Sequence, residues 1–336
     1  MSYPGQLYIY WSMEANGTNS LLSLFPHSLR TLFEKTADVC EELEEIRLRA
    51  GKPICIKLHH KELFLDARGE AVKALQAARA LEAQELQAIL RHICHDSLYA
   101  YEDELKQGFL TVPGGHRVGL VGQIVLEEDG RIRTMKHVGG MNIRIAHEIK
   151  GTADPVLPLL YEGDTLCNTL IISPPGCGKT TLLRDLIRQV SDGTAGHPGR
   201  TVGVVDERSE IAGSYLGVPQ NDVGIRTDVL DACPKVYGMM LLIRSMAPRV
   251  VAIDELGSEE DIMAMRQVSA CGCGLLATIH GEGIEGMQEK AYTRSLLREG
   301  LFTRYVVLEK KNGIPCVKGV FRKEDVCCVS SEHSVS

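Results

Sequence analysis

The sequence has no apolar run long enough to cross a bilayer. Its longest apolar stretches are interrupted by Arg244 and Arg249, whereas a spanning helix needs about 20 uninterrupted apolar residues. No basic residue precedes Arg30 and the early apolar stretch 7–11 is short, so we expect no secretory signal. We therefore expect a cytoplasmic protein without a membrane span of its own.

Cysteine pairs spaced for a metal ion are also missing. The 11 cysteines show neither C-x-x-C spacing nor a matching pair of histidines, and without a secretion signal we expect reduced thiols rather than disulfides or a zinc site. Basic residues are not in excess, because 37 lysines and arginines face 44 acidic residues and the net charge is −7. A general polyanion-binding protein is therefore not expected.

The 336 residues, 44% of them hydrophobic, are enough for two globular domains. Residues 1–20 show no periodicity and are expected to be disordered, whereas residues 21–150 combine helices, short strands and hairpin turns and predict an α+β domain. Residues 151–160 contain glycine and proline and predict a linker. Residues 161–328 alternate aliphatic strands with helices, which is typical of an α/β domain with a mainly parallel sheet. Residues 329–336 are expected to form a tail.

The most informative segment is Ser-Pro-Pro-Gly-Cys-Gly-Lys-Thr at positions 173–180, between an apolar strand and an amphipathic helix. Glycines at positions 176 and 178 allow successive backbone N–H groups to point inward, at the positive end of the helix dipole. This context predicts a phosphate-binding loop, although Ser173 stands where the usual pattern has glycine. The residues expected to bind nucleotide are Pro175, Gly176, Cys177, Gly178, Lys179, Thr180 and Thr181.

Roles within this loop follow from the residue types. Lys179 is expected to reach the β- and γ-phosphates, Thr180 to hold Mg²⁺ through its hydroxyl, and Thr181 to lie beside the α-phosphate. Asp254 and Glu255 follow the apolar strand 250–253, where the carboxyl edge of a parallel sheet would bring them to the phosphates. Asp254 suits the Mg²⁺ shell and Glu255 suits polarisation of the attacking water, although an acidic pair after a strand is also common at the start of a helix.

Two further strand ends carry polar residues. Asp206 and Glu207 follow strand 202–205, and Thr278 and His280 end the strand that begins near Leu275. Either end could face the nucleotide. A solvated loop with a local ion pair, or a structural histidine, would produce the same pattern.

Taken in this order, the motifs resemble those of the hexameric ATPases of type II and type IV secretion and pilus retraction. The sequence is more closely similar to the family of stage III sporulation protein AA, from about residue 25 to 325. The phrases that carry this similarity lie at 45–53, 97–101, 107–109, 114–119, 142–146 and 205–210. The resemblance implies a RecA-like P-loop NTPase core with a smaller N-terminal α+β domain.

The resemblance also assigns residues. Glu255 matches the Walker B glutamate of the secretion ATPases, and Glu207 matches an acid that competes with it for the role of ordering water. His280, with Thr278, matches the second half of their histidine motif, but Gly274-Leu275 stands where Gly-His is usual.

Three arginines also match. Arg117 and Arg144, each in a strand of the N-terminal domain, resemble the two arginines that those motors bring to the nucleotide. Their other interpretation is that of surface arginines. Arg244 matches the arginine that precedes the Walker B strand.

The function implied by this resemblance is that of an ATP- and Mg²⁺-dependent motor, a homo-hexamer in the mother-cell cytoplasm that acts on membrane-embedded sporulation channel proteins. A nucleotide-gated nucleic-acid-binding protein of the helicase-loader kind is the alternative, supported by a locally basic run from Arg131 to Lys150 that lacks aromatic residues for base stacking. A nucleotide-stabilised scaffold without turnover is a third. No motif that reads the base is present, so the sequence does not decide whether the nucleotide is ATP or GTP.

Overall fold

The computed structural model describes residues 12–15, 18–59, 61–97, 101–288, 291–311 and 314–326. Most of the segment 1–20 and the tail 329–336, expected to be unstructured, lie outside the described residues. The chain divides into an N-terminal unit, Met13–Glu148 with Gly213–Asn221, and a C-terminal unit that holds Ile149–Ala212 and the residues from Asp222 onward. No helix among the described residues is long and apolar enough to span a bilayer.

The N-terminal unit is built on an antiparallel sheet of seven strands in the order β5-β4-β3-β2-β8-β7-β6. Helices cover one face of this sheet, where the stacked rings of Phe25 and Phe33, 3.7 Å apart, join Ile46 and Ile143 in the core. The helices up to residue 150 are α1 Thr18–Ser23, α2 His27–Ala37, α3 Ala83–Ile93 and α4 Glu102–Gln107. The strands are β1 Ser12–Ala15, β2 Leu43–Arg49, β3 Cys55–Leu58, β4 Lys61–Leu65, β5 Ala71–Val72, β6 Phe109–Thr111, β7 Arg117–Leu126, β8 Ile132–Arg144 and β9 His147–Lys150.

The C-terminal unit is built on a second sheet of seven strands in the order β16-β15-β17-β18-β12-β19-β20. Neighbouring strands are parallel except for β20, which runs antiparallel to β19. The strands are β10 Tyr161–Glu162, β11 Thr165–Leu166, β12 Thr169–Ser173, β13 Gly193–Thr194, β14 His197–Pro198, β15 Val202–Asp206, β16 Thr227–Asp231, β17 Val250–Leu256, β18 Gly274–His280, β19 Arg304–Lys311 and β20 Ile314–Arg322.

Helices cover both faces of this sheet. The helices are α5 Lys179–Asp192, α6 Lys235–Ser245, α7 Glu259–Ala270 and α8 Ala291–Glu299. Helix α5 contributes Leu182 and Leu186 to the core on one face, whereas α6 and α7 contribute Met239 and Met265 to the core on the other. Because both faces are covered, every residue of β12 and β15 is buried, which explains why these strands appear in the sequence as continuous aliphatic runs.

Two segments differ from the sequence-based expectations. Residues 151–160, expected as a linker, pack into the core of the C-terminal unit through Ala153, Val156 and Leu160, each 0% exposed. The Asp185 carboxylate on α5 accepts a hydrogen bond of 2.8 Å from the Ala153 N–H, so apolar burial and a backbone anchor outweigh the glycine and proline content. Strand β16 was not expected. It is a half-buried edge strand, and its two aspartates interrupt the apolar pattern by which a strand is predicted.

The central strands should dominate stability. Leu276 on β18 is 1% exposed, so Leu276→Ala should lower the free energy of unfolding by about 2–5 kcal/mol through lost burial and a residual cavity. Leu216→Ala, at a side chain that is 74% exposed, is the matched control and should change it by less than about 0.5 kcal/mol. Urea titration followed by circular dichroism measures both, and equal effects would contradict this account of the core.

Candidate functional site

The phosphate-loop motif lies between β12 and α5, where the sequence predicted it. Gly176 and Gly178 have φ angles of +69° and +81°, in the left-handed region that disfavours any residue with a Cβ atom. Ser173, which replaces the usual glycine, ends β12 in extended conformation, and its hydroxyl donates 2.9 Å to the carbonyl of Pro174. The loop therefore curls after the serine, and the substitution leaves its two positive-φ positions intact.

The remaining loop residues differ in exposure. Pro175 and Gly176 are exposed, Cys177 is buried, and Thr181 lies in the first turn of α5. The N-terminus of this 14-residue helix is thus preceded by a partly exposed turn whose two glycines have positive φ. Such a terminus favours anions through its free N–H groups and its dipole.

Lys179 is the first residue of α5 and is only 7% exposed. Burial lowers the pKa of its ammonium group, and the nearby carboxylates of Glu255 and Asp254 oppose that shift. Its Nζ donates 2.9 Å to Nδ1 of His280, at the end of β18. On the other side of the ring, Nε2 of His280 lies 2.9 Å from Oε2 of Glu255.

The contacts of His280 join Lys179 to Glu255. An ammonium group can only donate, so the tautomer assigned to His280 accepts at Nδ1 and donates a hydrogen bond from Nε2–H to the Glu255 carboxylate. The result is a chain of hydrogen bonds from Lys179 through His280 to Glu255, across three different elements of the unit.

A second set of contacts centres on Asp254. The Thr180 hydroxyl donates 3.1 Å to Oδ2, and the hydroxyl of Thr278, fully buried in β18, donates 2.9 Å to Oδ1. A hydroxyl and a carboxylate oxygen are hard oxygen donors of the kind that Mg²⁺ prefers, so Thr180 and Asp254 fit a magnesium ion. Thr278 fixes the second carboxylate oxygen and leaves Oδ2 as the oxygen shared with Thr180.

The backbone at Glu255 is strained. Its φ is +36°, unusual for a residue with a side chain, and the β17–β18 pairing shifts register between Ile253 and Leu256. Glu255 N–H donates 2.9 Å to the Thr278 hydroxyl, which holds the backbone in this conformation. A bulge of this kind re-aims a side chain at the end of a strand, and here it turns Glu255 toward His280.

Asp206 and Glu207 have different surroundings although they are adjacent. Asp206 is fully buried and accepts hydrogen bonds from the backbone N–H groups of Glu210, Ile211 and Ala212, at 2.8, 3.0 and 2.8 Å. Burial raises its pKa and those three N–H donors oppose the shift. Asp206 therefore anchors the loop that follows β15, and Glu207 is the acid that faces the open cleft.

The two carboxylates proposed as rivals line one cleft. This cleft, of about 100 Å³, is bordered by Glu207, Arg208, Glu210, Lys235, Asp254, Glu255 and Gly257. The structure thus brings the expected acids together with the phosphate loop. The competing interpretations of Asp254 as part of a helix start and of His280 as an isolated structural residue do not describe these contacts.

Two predicted residues lie in the other unit. Arg117 on β7 and Arg144 on β8 are directly opposite each other in the antiparallel pairing. The Arg117 guanidinium lies 4.4 Å from the centre of the Phe109 ring, and Arg144 is exposed. Both belong to the N-terminal unit, whereas the phosphate loop belongs to the C-terminal unit. Arg244 lies exposed on α6.

Sequence reasoning missed one lysine at the cleft. Lys235 begins α6, and its Nζ lies 2.6 Å from Oε2 of Glu207. No motif marks it, since its neighbours Cys233 and Pro234 belong to no binding pattern. The loop after β15 and the start of α6 come together because β15 and β16 pair in parallel, with Asp206 opposite Asp231.

Comparisons with known proteins identify the family of this chain. The family model "Sporulation stage III, protein AA" matches residues 16–327. Stage III sporulation protein AA of Bacillus subtilis strain 168 is 38% identical over 307 residues, which cover 91% of this chain and 95% of that protein.

Solved structures share the fold. The ATPase DotB of Legionella pneumophila has a TM-score of 0.56 at 15% identity, over 90% of this chain and 82% of its own. The pilus retraction motor PilT, solved with bound ADP, has a TM-score of 0.57 at 12% identity, over 90% of this chain and 88% of its own. At these identities the likeness shows the fold alone, and it confirms the expected α/β class.

The Thr278 hydroxyl should be worth measurable stability. Thr278→Val removes a buried hydroxyl that donates to Asp254 and accepts from Glu255 N–H, so the free energy of unfolding should fall by about 1–3 kcal/mol. Thr278→Ser keeps the hydroxyl and should lose clearly less. Chemical denaturation compares the two, and a stable valine variant would show that these hydrogen bonds do not hold the strand ends.

Proposed function

Because the chain belongs to the family of sporulation stage III protein AA, we propose that it is a magnesium-dependent ATP hydrolase, a motor of the secretion-ATPase class. The observation that carries the proposal is the chain of contacts from Lys179 through His280 to Glu255, beside the Thr180–Asp254 pair. A loop that only held a nucleotide would need the lysine and the helix N-terminus. The coupled histidine and glutamate are what hydrolysis requires in addition.

The residues support a sequence of events. The loop N–H groups bind the phosphates, and Lys179 exchanges its bond to His280 Nδ1 for bonds to the β- and γ-phosphate oxygens. His280 keeps its Nε2–H directed at Glu255, so the carboxylate stays oriented while its second oxygen accepts a proton from the attacking water. Mg²⁺ held by Thr180 and Asp254 would neutralise charge on the phosphates.

The nucleic-acid alternative is not favoured by the contacts of its basic run. Arg131 pairs with Asp129 at 2.6 Å and Arg133 lies 3.9 Å from Glu127, in the same hairpin. Lys150 pairs with Asp222 at 3.0 Å. Cations already paired with neighbouring carboxylates are poor candidates for a phosphate-tracking surface.

The proposed cellular setting rests on the family resemblance. We infer a homo-hexamer in the mother-cell cytoplasm that energises or assembles the membrane-embedded sporulation channel between mother cell and forespore. In that ring, Arg117 and Arg144 would complete a nucleotide site of the same or a neighbouring subunit. The N-terminal unit would then be the moving domain and the C-terminal unit the RecA-like ATPase domain.

Two substitutions separate binding from hydrolysis. Lys179→Ala should abolish binding of a fluorescent ATP analogue, because it removes the cation at the first residue of α5. Glu255→Gln should bind ATP normally but release phosphate at least about 100-fold more slowly, because the group that accepts the water proton is gone. Phosphate release by the full chain with ATP and Mg²⁺ is the measurement.

The matched control is Glu260→Gln, at an exposed glutamate in the first turn of α7, which should hydrolyse ATP like the wild type. Normal ATP binding by Lys179→Ala would show that the loop is not the phosphate site. Persistent turnover by Glu255→Gln would transfer the water-orienting role to Glu207. A wild-type chain that binds ATP without turnover would support the scaffold instead.

Arg144 provides a separate prediction. An arginine that neutralises charge in the transition state is worth about 10³-fold or more, so Arg144→Ala should lower turnover strongly without lowering ATP affinity to the same degree. The exposed side chain should be dispensable for folding, which a melting curve checks. Arg131→Ala, in the turn between β7 and β8, is the control, and wild-type turnover by Arg144→Ala would remove Arg144 from the site.

A further inference from the structure

Lys235 occupies a position that helix energetics do not favour. It is the first residue of α6, after Pro234, and no side chain caps this terminus. A cation there faces the positive end of the helix dipole, where an acid or a small polar residue would be more stable. A lysine at a position that helix energetics disfavour is expected to make another contact that compensates for this cost.

That contact is with Glu207. Lys235 Nζ lies 2.6 Å from Glu207 Oε2, and the lysine side chain is only 15% exposed while the glutamate is 39% exposed. The pair is placed by rigid packing, because a Cβ added to Gly238, one turn further along α6, would lie 2.6 Å from Val205 Cγ1 on β15. Lys235 and Gly238 share a helix face, so this close approach sets the lysine beside the end of β15.

The backbone of Glu207 is fixed as well. Its loop is tied to Asp206 by three N–H bonds, and Arg184 on α5 donates to the carbonyl oxygens of Glu210 and Ile211 at 2.6 and 2.5 Å. These bonds attach the loop to α5, the helix that follows the phosphate loop. With the backbone of Glu207 held in this way, its contact with Lys235 sets the direction of the Glu207 side chain.

The cleft explains why such control is useful. Four carboxylates, from Glu207, Glu210, Asp254 and Glu255, line it together with Lys235 and Arg208. Glu255 is oriented by His280, whereas Glu207 is paired with Lys235. The ammonium group of Lys235 holds one carboxylate oxygen of Glu207 and compensates the negative charge of that side chain.

We propose that Lys235 is a positioning residue that holds Glu207 as a neutralised partner and leaves Glu255 as the carboxylate that orients the attacking water. This inference rests on the proposed ATP hydrolysis and adds an assignment of the two rival acids. In this assignment Glu207 lines the cleft without orienting water. Its negative charge lowers turnover when Lys235 does not compensate it.

The test is a double-mutant cycle on the full chain with MgATP. Lys235→Met keeps the methylene stem and removes the charge, so kcat should fall about tenfold, within the range of couplings between contacting charges, while KM changes less than about twofold. Lys235→Arg should restore most of the turnover. Glu207→Gln alone should stay within about threefold of wild type, and Lys235→Met combined with Glu207→Gln should return to the level of Glu207→Gln.

Each other outcome contradicts the proposal. An additive double variant, or equal losses in the methionine and arginine variants, would mean that Lys235 only supports the start of α6. Loss of turnover in Glu207→Gln would make Glu207 the acid that orients water. Lys150→Ala, at a lysine paired with Asp222 outside the cleft, is the matched control and should be inert. A wild-type kcat in Lys235→Met would contradict this inference alone. Absence of turnover in the unmutated chain would contradict both this inference and the proposed function.

Discussion

The parallel register of β12, β17 and β18 is the constraint on which the site depends. Ser173 on β12 is paired with His280 on β18, so the residue before the phosphate loop and the histidine that meets Lys179 are neighbours across the sheet. Next to them, β17 delivers Asp254 and Glu255 to the same edge. This register is held by aliphatic burial on both faces, because a parallel sheet is stable only when helices cover it on each side. Packing of the core residues thus sets the distances among the candidate site residues.

A second principle is that four of the acids at this edge have different donors. Asp206 is satisfied by backbone N–H groups, Asp254 by two hydroxyls, Glu255 by a histidine and Glu207 by a lysine. Clustered carboxylates would otherwise repel one another. Distinct partners for these four acids allow them to lie close together while they keep different orientations and different chemical roles.

The sequence was most informative where one residue type has one structural meaning. Glycines 176 and 178 predicted a loop whose backbone N–H groups point inward, and both glycines have positive φ. The aliphatic run before Asp254 predicted a strand that ends in acids, as β17 does. The strained φ of Glu255 and the position of Lys235 could not be predicted, because one depends on a register shift against β18 and the other on how closely α6 approaches β15. Segment 151–160 misled for a similar reason, since glycine and proline mark a break in regular structure but do not show whether the irregular chain is buried.

The incomplete histidine motif can be understood from the same register. Leu275 stands where histidine is usual, and it lies at the start of β18, with its N–H bonded to Asn168 and its side chain buried among apolar residues. Five residues separate it from His280, which at the rise of an extended strand is about 16 Å, so position 275 is at the opposite end of the strand from the phosphate loop. A histidine there could not join the chain from Lys179 to Glu255 within the same unit. The leucine therefore removes nothing from the contacts that His280 makes, and in its place it adds apolar burial to the strand that positions them.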